Sequence, residues 1–249
     1  MLRLGEKKNP KILFLHPFPY DKNFWKYQFD LKNEYYCIFP DLLGAGEKGS
    51  ETLFTLEEMC LDILNEVEED RIHLVGLSMG GYVAQRMFEI APQKFQSLIL
   101  MDTKSDSDSN ENKKKRALDI QKLKKVNLRE YVLNTVENAV SIKTKNERKD
   151  KLEFLIDISE KQNSNGIISE LLAMQGRLDM NSFIEKIQKP TLIIVGAEDK
   201  ITPKETMQEL HKKIQGSEFH VIENAGHLSA VEDADRINLI LKNFVNTNE

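Results

Sequence analysis

Apolar residues along this chain form short continuous runs that alternate with longer stretches of helical spacing. Six apolar runs are closed by turn residues, which predicts buried strands of a parallel sheet. The runs cover residues 11–16, 35–39, 71–75, 97–102, 191–195 and 218–222. Between them, helical spacing covers residues 23–31, 55–67, 81–88, 204–214 and 235–245. Strands that alternate with helices are typical of βαβ units, so the pattern predicts an α/β fold with a mostly parallel sheet.

The alternation stops after Thr103 and resumes after residue 188. A polar stretch without strand character comes first, and four helices are predicted after it, over residues 117–126, 128–139, 149–159 and 166–174. We therefore predict a core of residues 1–103 and 189–249 and a helical insertion of residues 104–188 that forms a lid over the sheet. The insertion carries 17 Lys/Arg and 14 Asp/Glu. Its basic run 113–116 lacks interleaved aromatic residues, so it indicates a solvated helix face.

Composition narrows the class of protein. The chain has 249 residues, 40% of them hydrophobic, which is enough for one large core. A net charge of −5 argues against nucleic acid as the main partner. Cys37 and Cys60 lack metal or CxxC spacing and are expected to be buried thiols. No secretory signal and no apolar run of about 20 residues is visible, which predicts a cytoplasmic protein without a membrane span. The oligomeric state, monomer or homodimer, stays open.

The sequence Gly76-Leu77-Ser78-Met79-Gly80 is the strongest chemical signal. It reads G-x-S-x-G, with a predicted strand before it and a predicted helix after it, which is the context of a nucleophile elbow. Such a turn is sharp and strained, so the positions two before and two after the serine must be small. Gly76 and Gly80 meet that demand, and Gly81 lets the helix start close to the sheet. The pattern predicts Ser78 as a nucleophile.

A serine hydroxyl needs a neighbouring base, and histidine suits that role because its pKa is near neutrality. Of the five histidines, His227 lies in a loop after the last strand, where its side chain reaches the carboxyl edge of the sheet. The base needs an acid to fix its tautomer. Asp199 is favoured, because it follows a strand in a glycine turn and gives the order Ser–Asp–His. Asp102, at the end of another strand, is the alternative acid.

Acyl transfer also needs two backbone N–H groups for the oxyanion. Met79, directly after the serine, supplies one, and the early loop His16-Pro17-Phe18 supplies the other. Pro17 has no N–H, so Phe18 is the second donor. His16 then shapes the loop. No His/Asp/Glu cluster has metal spacing, and neither a metal nor another cofactor is expected.

Six segments of the chain resemble the α/β-hydrolase superfamily, and together they span nearly its full length. They are LHPFPYDKNFW, PDLLGAG, GLSMGGYVA, LILMDT, PTLIIVGAEDKITP and ENAGHLSAVE. The polar helical lid after LILMDT is similar to that of small carboxylesterases and 3-oxoadipate enol-lactonases. The resemblance implies Ser78 as nucleophile, Asp199 as acid and His227 as base. Pro17 departs from the family, where many members carry Gly after the His, and makes the loop stiffer.

The expected activity is cofactor-free hydrolysis of a small carboxylic ester or lactone through an acyl-enzyme. Thioester or carbon–carbon bond hydrolysis by the same residues, and a non-catalytic ligand-binding protein, are the alternatives. A haloalkane dehalogenase is disfavoured, because its elbow needs Asp where Ser78 stands. A short acyl chain is expected, because Phe18, Trp25 and Met174 would crowd the pocket.

Overall fold

A seven-stranded sheet forms the centre of the molecule. The computed structural model describes residues 1–49, 52–125 and 127–249. The strands are β1 Leu2–Leu4, β2 Lys11–Leu15, β3 Tyr36–Phe39, β4 Ile72–Leu77, β5 Phe95–Met101, β6 Thr191–Gly196 and β7 Glu218–Ile222. Their order in the sheet is β1-β3-β2-β4-β5-β6-β7. Only β1 runs antiparallel to its neighbour, so the six predicted strands form the parallel part of the sheet, as the sequence predicts.

Eleven α-helices flank this sheet in the described ranges. They are α1 Leu56–Glu66, α2 Met79–Ile90, α3 Asn110–Leu123, α4 Leu128–Ala139, α5 Ile142–Glu147, α6 Lys149–Glu160, α7 Ser164–Gly176, α8 Asn181–Ile184, α9 Lys204–Lys213, α10 Ser229–Glu232 and α11 Ala234–Thr247. Short 3-10 helices cover Lys22–Asn33, Gly46–Lys48 and Pro92–Lys94. None of the helices in the described part of the chain is both long and apolar enough to cross a membrane.

Both faces of the sheet are covered, because successive residues of a strand point to opposite sides. In β2, Leu13 and Leu15 belong to the core cluster that also contains residues of α1 and α2. Ile12 and Phe14 belong to the second cluster, which contains residues of α11 and of the 3-10 helix that begins at Lys22. The central strands are therefore mostly apolar on both faces, and the polar groups of the site collect at their ends.

The first helix has the N-terminus that its sequence predicts. The Thr55 hydroxyl accepts a hydrogen bond from the Glu58 amide at 3.1 Å, and the Glu58 carboxylate accepts one from the Thr55 amide at 2.7 Å. This reciprocal pair is a capping box. It fixes the start of α1, which packs against α2, the helix that follows Ser78.

Several element predictions need correction. The predicted helix over residues 23–31 is a 3-10 helix, and the helix predicted over 117–126 begins earlier, at Asn110, where the Ser109 hydroxyl accepts from the Asn112 amide. Val126, the last residue of that predicted helix, lies outside the described residues. Strand β1 and helices α5 and α8 carry no signal in the sequence, because three to six residues are too few to show a period.

Candidate active site

Ser78 sits at the sharp turn between β4 and α2. Its backbone has φ 54° and ψ −113°, a conformation that a residue with a Cβ rarely adopts. Its amide donates to the Met101 carbonyl at 3.0 Å, and its carbonyl accepts from the Thr103 hydroxyl at 2.8 Å. The end of the neighbouring strand β5 therefore holds the strained turn in place.

The glycines around Ser78 leave no room for a side chain. A Cβ on Gly76 would lie 2.3 Å from the Gly80 carbonyl oxygen, and a Cβ on Gly80 would lie 2.1 Å from the Leu15 carbonyl oxygen. At Gly81 the obstacle is the Thr103 side chain, 2.5 Å away. The requirement for small residues at these positions, predicted from the sequence, has its cause in these contacts.

Ser78, His227 and Asp199 form one chain of hydrogen bonds. The distance from the Ser78 Oγ to the His227 Nε2 is 2.8 Å, and from the His227 Nδ1 to the Asp199 Oδ2 it is also 2.8 Å. Since an ionised carboxylate can only accept, the Nδ1 carries the proton, and the Nε2 is left to accept from the serine hydroxyl. All three residues are buried: Ser78 is 9% exposed, His227 5% and Asp199 5%.

Asp199 is held by its own turn. Its Oδ1 accepts from the amides of Ile201 and Thr202 at 2.8 and 3.0 Å, and its Oδ2 also accepts from the Thr202 hydroxyl at 2.7 Å. Burial alone would raise the pKa of Asp199, but the charge of His227 and the hydrogen bonds from His227 and Thr202 hold this pKa below its ordinary value.

The pKa of His227 is shifted in the opposite direction. Burial alone would lower it, but the charge of Asp199, the hydrogen bond to Asp199 and the charges of Asp102 and Glu232 raise it. A raised pKa makes the imidazole a better proton acceptor.

The loop that carries His227 is tied to the helical insertion. The His227 amide donates to the carbonyl of Ala139, the last residue of α4, at 2.7 Å. The Glu232 Oε1 accepts from the amides on either side of the histidine, Gly226 at 2.9 Å and Leu228 at 3.3 Å. Its Oε2 accepts from the Ser141 amide and from the Thr144 hydroxyl, both at 2.8 Å. One fully buried carboxylate thus joins the histidine loop to the insertion.

The alternative acid, Asp102, is bonded elsewhere. Its Oδ1 accepts from the Gly196 amide at 2.8 Å, and its Oδ2 bonds to the Ser229 hydroxyl. Burial and the nearby charge of Asp199 raise its pKa well above the ordinary value. Asp102 therefore lies behind the site, bonded to Gly196 and Ser229, while Asp199 makes the hydrogen bond to His227.

The two amides predicted for the oxyanion lie on opposite sides of Ser78 in the sequence. Met79 is the first residue of α2, where an amide has no partner within the helix. Phe18 lines the same cleft as Ser78 and His227. Neither amide donates a hydrogen bond to any residue of the ranges 1–49, 52–125 and 127–249.

His16 shapes the loop before Phe18. Its Nε2 accepts from the Leu42 amide at 3.0 Å, so its Nδ1 carries the proton and donates to the Pro17 carbonyl at 3.0 Å. Burial lowers the pKa of His16 and keeps the ring neutral.

The remaining histidines lie outside the site. His73 is buried between Ser97 and Glu249, His211 bonds to Ser217, and His220 lies on β7. Within the described parts of the chain, no group of three or more His, Cys, Asp or Glu side chains could hold a metal ion.

A cleft of about 740 Å³ opens over Ser78 and His227. Its walls come from the early loop, from α2 and from the insertion, and they include Phe18, Tyr82, Tyr131 and Met174. Trp25 does not line it, contrary to the expectation from the sequence. The indole is fully buried and packs against Phe14, 5.1 Å between ring centroids, because the 3-10 helix turns it toward the sheet.

Sequence reasoning missed Glu232, Thr103 and Lys104. Glu232 lies in the segment ENAGHLSAVE, but its partners Ser141 and Thr144 are 91 and 88 residues away in the chain. Thr103 is the last residue of LILMDT and Lys104 follows it, and the end of a parallel strand is a position that gathers functional groups. That position was the available signal for both.

Comparisons with known proteins identify the family and the fold. A model of the alpha/beta hydrolase family matches residues 12–238. The 3-oxoadipate enol-lactonase 1 of Acinetobacter baylyi is 26% identical over 245 residues, which cover 97% of this chain and 90% of that protein. A thermophilic esterase from Thermogutta terrifontis, solved with malate bound, superposes with a TM-score of 0.91 at 28% identity over 99% of this chain and 92% of its own. An enol-lactonase from Burkholderia xenovorans shares the fold, with a TM-score of 0.89 at 21% identity over 98% and 95% of the two chains.

Proposed function

This chain belongs to the alpha/beta hydrolase family, and from that premise we propose that it is a serine hydrolase acting on a small carboxylic ester or lactone. Ser78 is the nucleophile, His227 the base and Asp199 the acid. The observation that carries the proposal is the buried chain of two 2.8 Å hydrogen bonds from the serine hydroxyl through the imidazole to the carboxylate. A serine with a purely structural role would not require a hydrogen-bonded histidine and aspartate at a strained turn that faces a cleft.

The first half of the reaction forms the acyl-enzyme. The Ser78 oxygen attacks the carbonyl carbon of the substrate, and its proton passes to the His227 Nε2. The carbonyl oxygen becomes an oxyanion, which the amides of Phe18 and Met79 bind. Asp199 stabilises the imidazolium. The proton then passes from the Nε2 to the alkoxide that leaves, and the acyl group stays on the serine.

The second half releases the acid. A water molecule takes the place of the leaving alcohol, and His227 removes its proton as the water oxygen attacks the acyl carbon. The tetrahedral intermediate collapses, and the proton returns to the Ser78 oxygen. For a lactone, the alkoxide and the acyl group belong to one molecule, and both leave only at this step.

Two observations support the ester or lactone as substrate class. Two relatives that align with nearly the whole chain bear the names of an enol-lactonase and an esterase. The cleft, at about 740 Å³, has room for a small molecule. We further propose that residues 104–188 act as a cap over a core of residues 1–103 and 189–249, since α4 and α7 contribute cleft residues such as Tyr131 and Met174.

A labelling experiment tests the nucleophile. A fluorophosphonate probe should modify the native protein once, at Ser78, and should leave Ser78→Ala unmodified. Ser164→Ala, at the start of α7 and outside the cleft, is the matched control and should be labelled like the native protein. Labelling of Ser78→Ala would contradict the proposal by pointing to another nucleophile, and no labelling of the native protein would contradict it in favour of a ligand-binding role.

Hydrolysis then tests the reaction class. Ser78→Ala should lose at least about a thousandfold in kcat for p-nitrophenyl acetate. A panel of esters, lactones, acyl thioesters and β-diketones separates the bond types, because the same three residues can act on all four. Faster turnover of thioesters or β-diketones than of every ester and lactone would replace the substrate class while keeping the mechanism.

A further inference from the structure

Lys104 places a positive charge in the cleft close to the Ser78 turn. It lines the cleft together with Ser78 and His227. Its carbonyl accepts from the Gln85 side chain at 3.0 Å, and the preceding residue, Thr103, bonds to the Ser78 carbonyl at 2.8 Å. The backbone of Lys104 is thus held beside the proposed nucleophile.

The ammonium group of Lys104 makes no ion pair with a described carboxylate, although the charges of Asp108 and Asp106 act on it from a greater distance. Among the residues that the structure describes, no carboxylate lies within 4.0 Å of its Nζ. The nearby carboxylate of Asp108 already pairs with Arg116 and, at 2.6 Å, with Arg177. The Arg177 guanidinium also lies over the ring of Tyr82, 4.1 Å from its centroid, which fixes it at the wall of the cleft. The Asp108 carboxylate is therefore occupied by two arginines and leaves Lys104 without an ion pair.

The cleft as a whole has an excess of positive charge. It is lined by more basic than acidic residues. The five basic residues are Lys104, Lys115, Arg116, Lys122 and Lys200, and the three acidic residues are Asp108, Asp119 and Glu130. The protein as a whole has a net charge of −5. A positive cleft on a negative molecule concentrates anions at the site and repels cations.

Building on the proposed function, we propose that the substrate is an anionic ester or lactone whose carboxylate binds Lys104 while its scissile carbonyl lies at Ser78. A substrate carboxylate would give Lys104 the ion-pair partner that Asp108 does not supply. Its two oxygens could accept hydrogen bonds from the lysine ammonium. A half-buried, unpaired cation in a substrate cleft has a clear use in this arrangement, whereas a neutral substrate would leave it without a partner.

The electrostatics around Lys104 agree with the geometry. Burial and the neighbouring charge of Arg177 lower its pKa. A bound carboxylate acts in the other direction, because an opposite charge within a few ångströms stabilises the ammonium. A bound carboxylate would thus stabilise the charged form of Lys104, which burial and Arg177 destabilise in the free protein.

Matched substrates test this inference. Monomethyl esters of dicarboxylic acids, from succinate to suberate, are compared with methyl esters of fatty acids that have the same number of carbons, and methanol release is followed by NMR. The native protein should show a kcat/KM ratio, anionic over neutral, of at least about ten at the best chain length. Added NaCl should lower the ratio, because salt screens the field of the cleft.

Lys104→Met should lower this ratio by about tenfold, and Lys104→Arg should retain most of it. Lys7→Met removes the same charge from an exposed position outside the cleft and should leave the ratio unchanged. A native ratio near one, or equal ratios for the native protein and Lys104→Met, would overturn the inference.

A binding measurement separates this inference from the proposed function. If no methyl ester of either series is hydrolysed, ester hydrolysis is contradicted, but the subsite is still testable with pimelate, a dicarboxylate that needs no reaction. Calorimetry should then show binding to the native protein and about tenfold weaker binding to Lys104→Met. Equal affinity, or no binding to the native protein, would overturn the carboxylate subsite.

Discussion

The Glu232 carboxylate accepts a 2.9 Å hydrogen bond from the Gly226 amide, directly before His227 in the chain. It accepts a second bond from Leu228, on the other side of the histidine. The orientation of the imidazole therefore depends on a carboxylate that does not touch it, and Glu232 is a positioning residue for the proposed base.

Replacement of Glu232 tests this dependence. Glu232→Ala removes the anchor, and we expect kcat/KM to fall by about ten- to a hundredfold, because small displacements of catalytic groups are costly. Glu232→Gln keeps the size but removes a negative charge that raises the pKa of His227. The acid limb of the kcat/KM profile should therefore move to lower pH.

A pH profile measured from pH 4 to 9 distinguishes positioning from mere stability. Glu223→Gln, an exposed change in the same loop, is the control and should reproduce the native profile. An acid limb of Glu232→Gln that overlies the native one would contradict the electrostatic part of the prediction.

Asp199 and Asp102 should respond differently to the same substitution. Asp199→Asn removes the carboxylate that fixes the His227 tautomer, so kcat should fall by about 10³ to 10⁴. Asp102→Asn replaces a buried carboxyl that bonds to Gly196 and Ser229 by an amide of the same shape, and we expect less than a tenfold loss. Steady-state kinetics of the two variants compare the acids directly. A larger loss for Asp102→Asn would reverse the assignment.

Gly80 should not tolerate a methyl group. In Gly80→Ala the Cβ would lie 2.1 Å from the Leu15 carbonyl oxygen, so the turn at Ser78 must shift. We expect a loss of about 1–3 kcal/mol in the free energy of unfolding and a strong loss of activity. Urea unfolding and fluorophosphonate labelling measure the two effects.

Gly176→Ala is the matched control, because its Cβ would meet no atom within 4 Å. Its stability should equal or slightly exceed that of the native protein. Equal stability and labelling of Gly80→Ala and the native protein would show that the turn has room to relax.

Glu170 is expected to weaken the fold at high pH. It is fully buried in α7, its Oε1 has no hydrogen-bond partner among the described residues, and burial raises its pKa well above the ordinary value of 4.5. Because the unfolded chain ionises at lower pH than the folded one, stability is lost as the pH rises above about 4.5. Glu170→Gln should therefore stabilise the protein at pH 8 by about 1–3 kcal/mol.

Urea unfolding at pH 5 and pH 8 checks the sign of this effect. The gain from Glu170→Gln should be smaller at pH 5, where less of the penalty applies. Glu153→Gln, on the exposed face of α6, should change little at either pH. A gain of equal size at both pH values would show that packing, and not ionisation, is the cause.

Local sequence patterns were sufficient to predict most of the strands and helices of the core. Parallel strands are apolar throughout, and Thr55 with Glu58 marks the start of α1 within four residues. The turn at Ser78 was predictable because its steric demand falls on the adjacent glycines. Strand β1 was not, because its three residues gain their structure by pairing with β3, more than thirty residues away.

The candidate site was predictable only in part, for the same reason. Ser78, Asp199 and His227 each follow a strand, so the sheet itself brings them to one edge. Glu232 and Lys104 act through residues of the insertion, whose placement no local pattern encodes. The cytoplasmic location stays a prediction from the sequence, and the oligomeric state, monomer or homodimer, stays open.

The bond between the His227 amide and the Ala139 carbonyl bears on how new specificities could evolve. A recombination event that exchanged residues 104–188 as a block would also exchange the backbone that anchors the histidine loop, along with Ser141 and Thr144, which bind Glu232. Crossovers after α5 would spare these bonds and still replace α6 and α7. We expect functional chimaeras with other hydrolases to be joined there, inside the insertion, and seldom at its two ends.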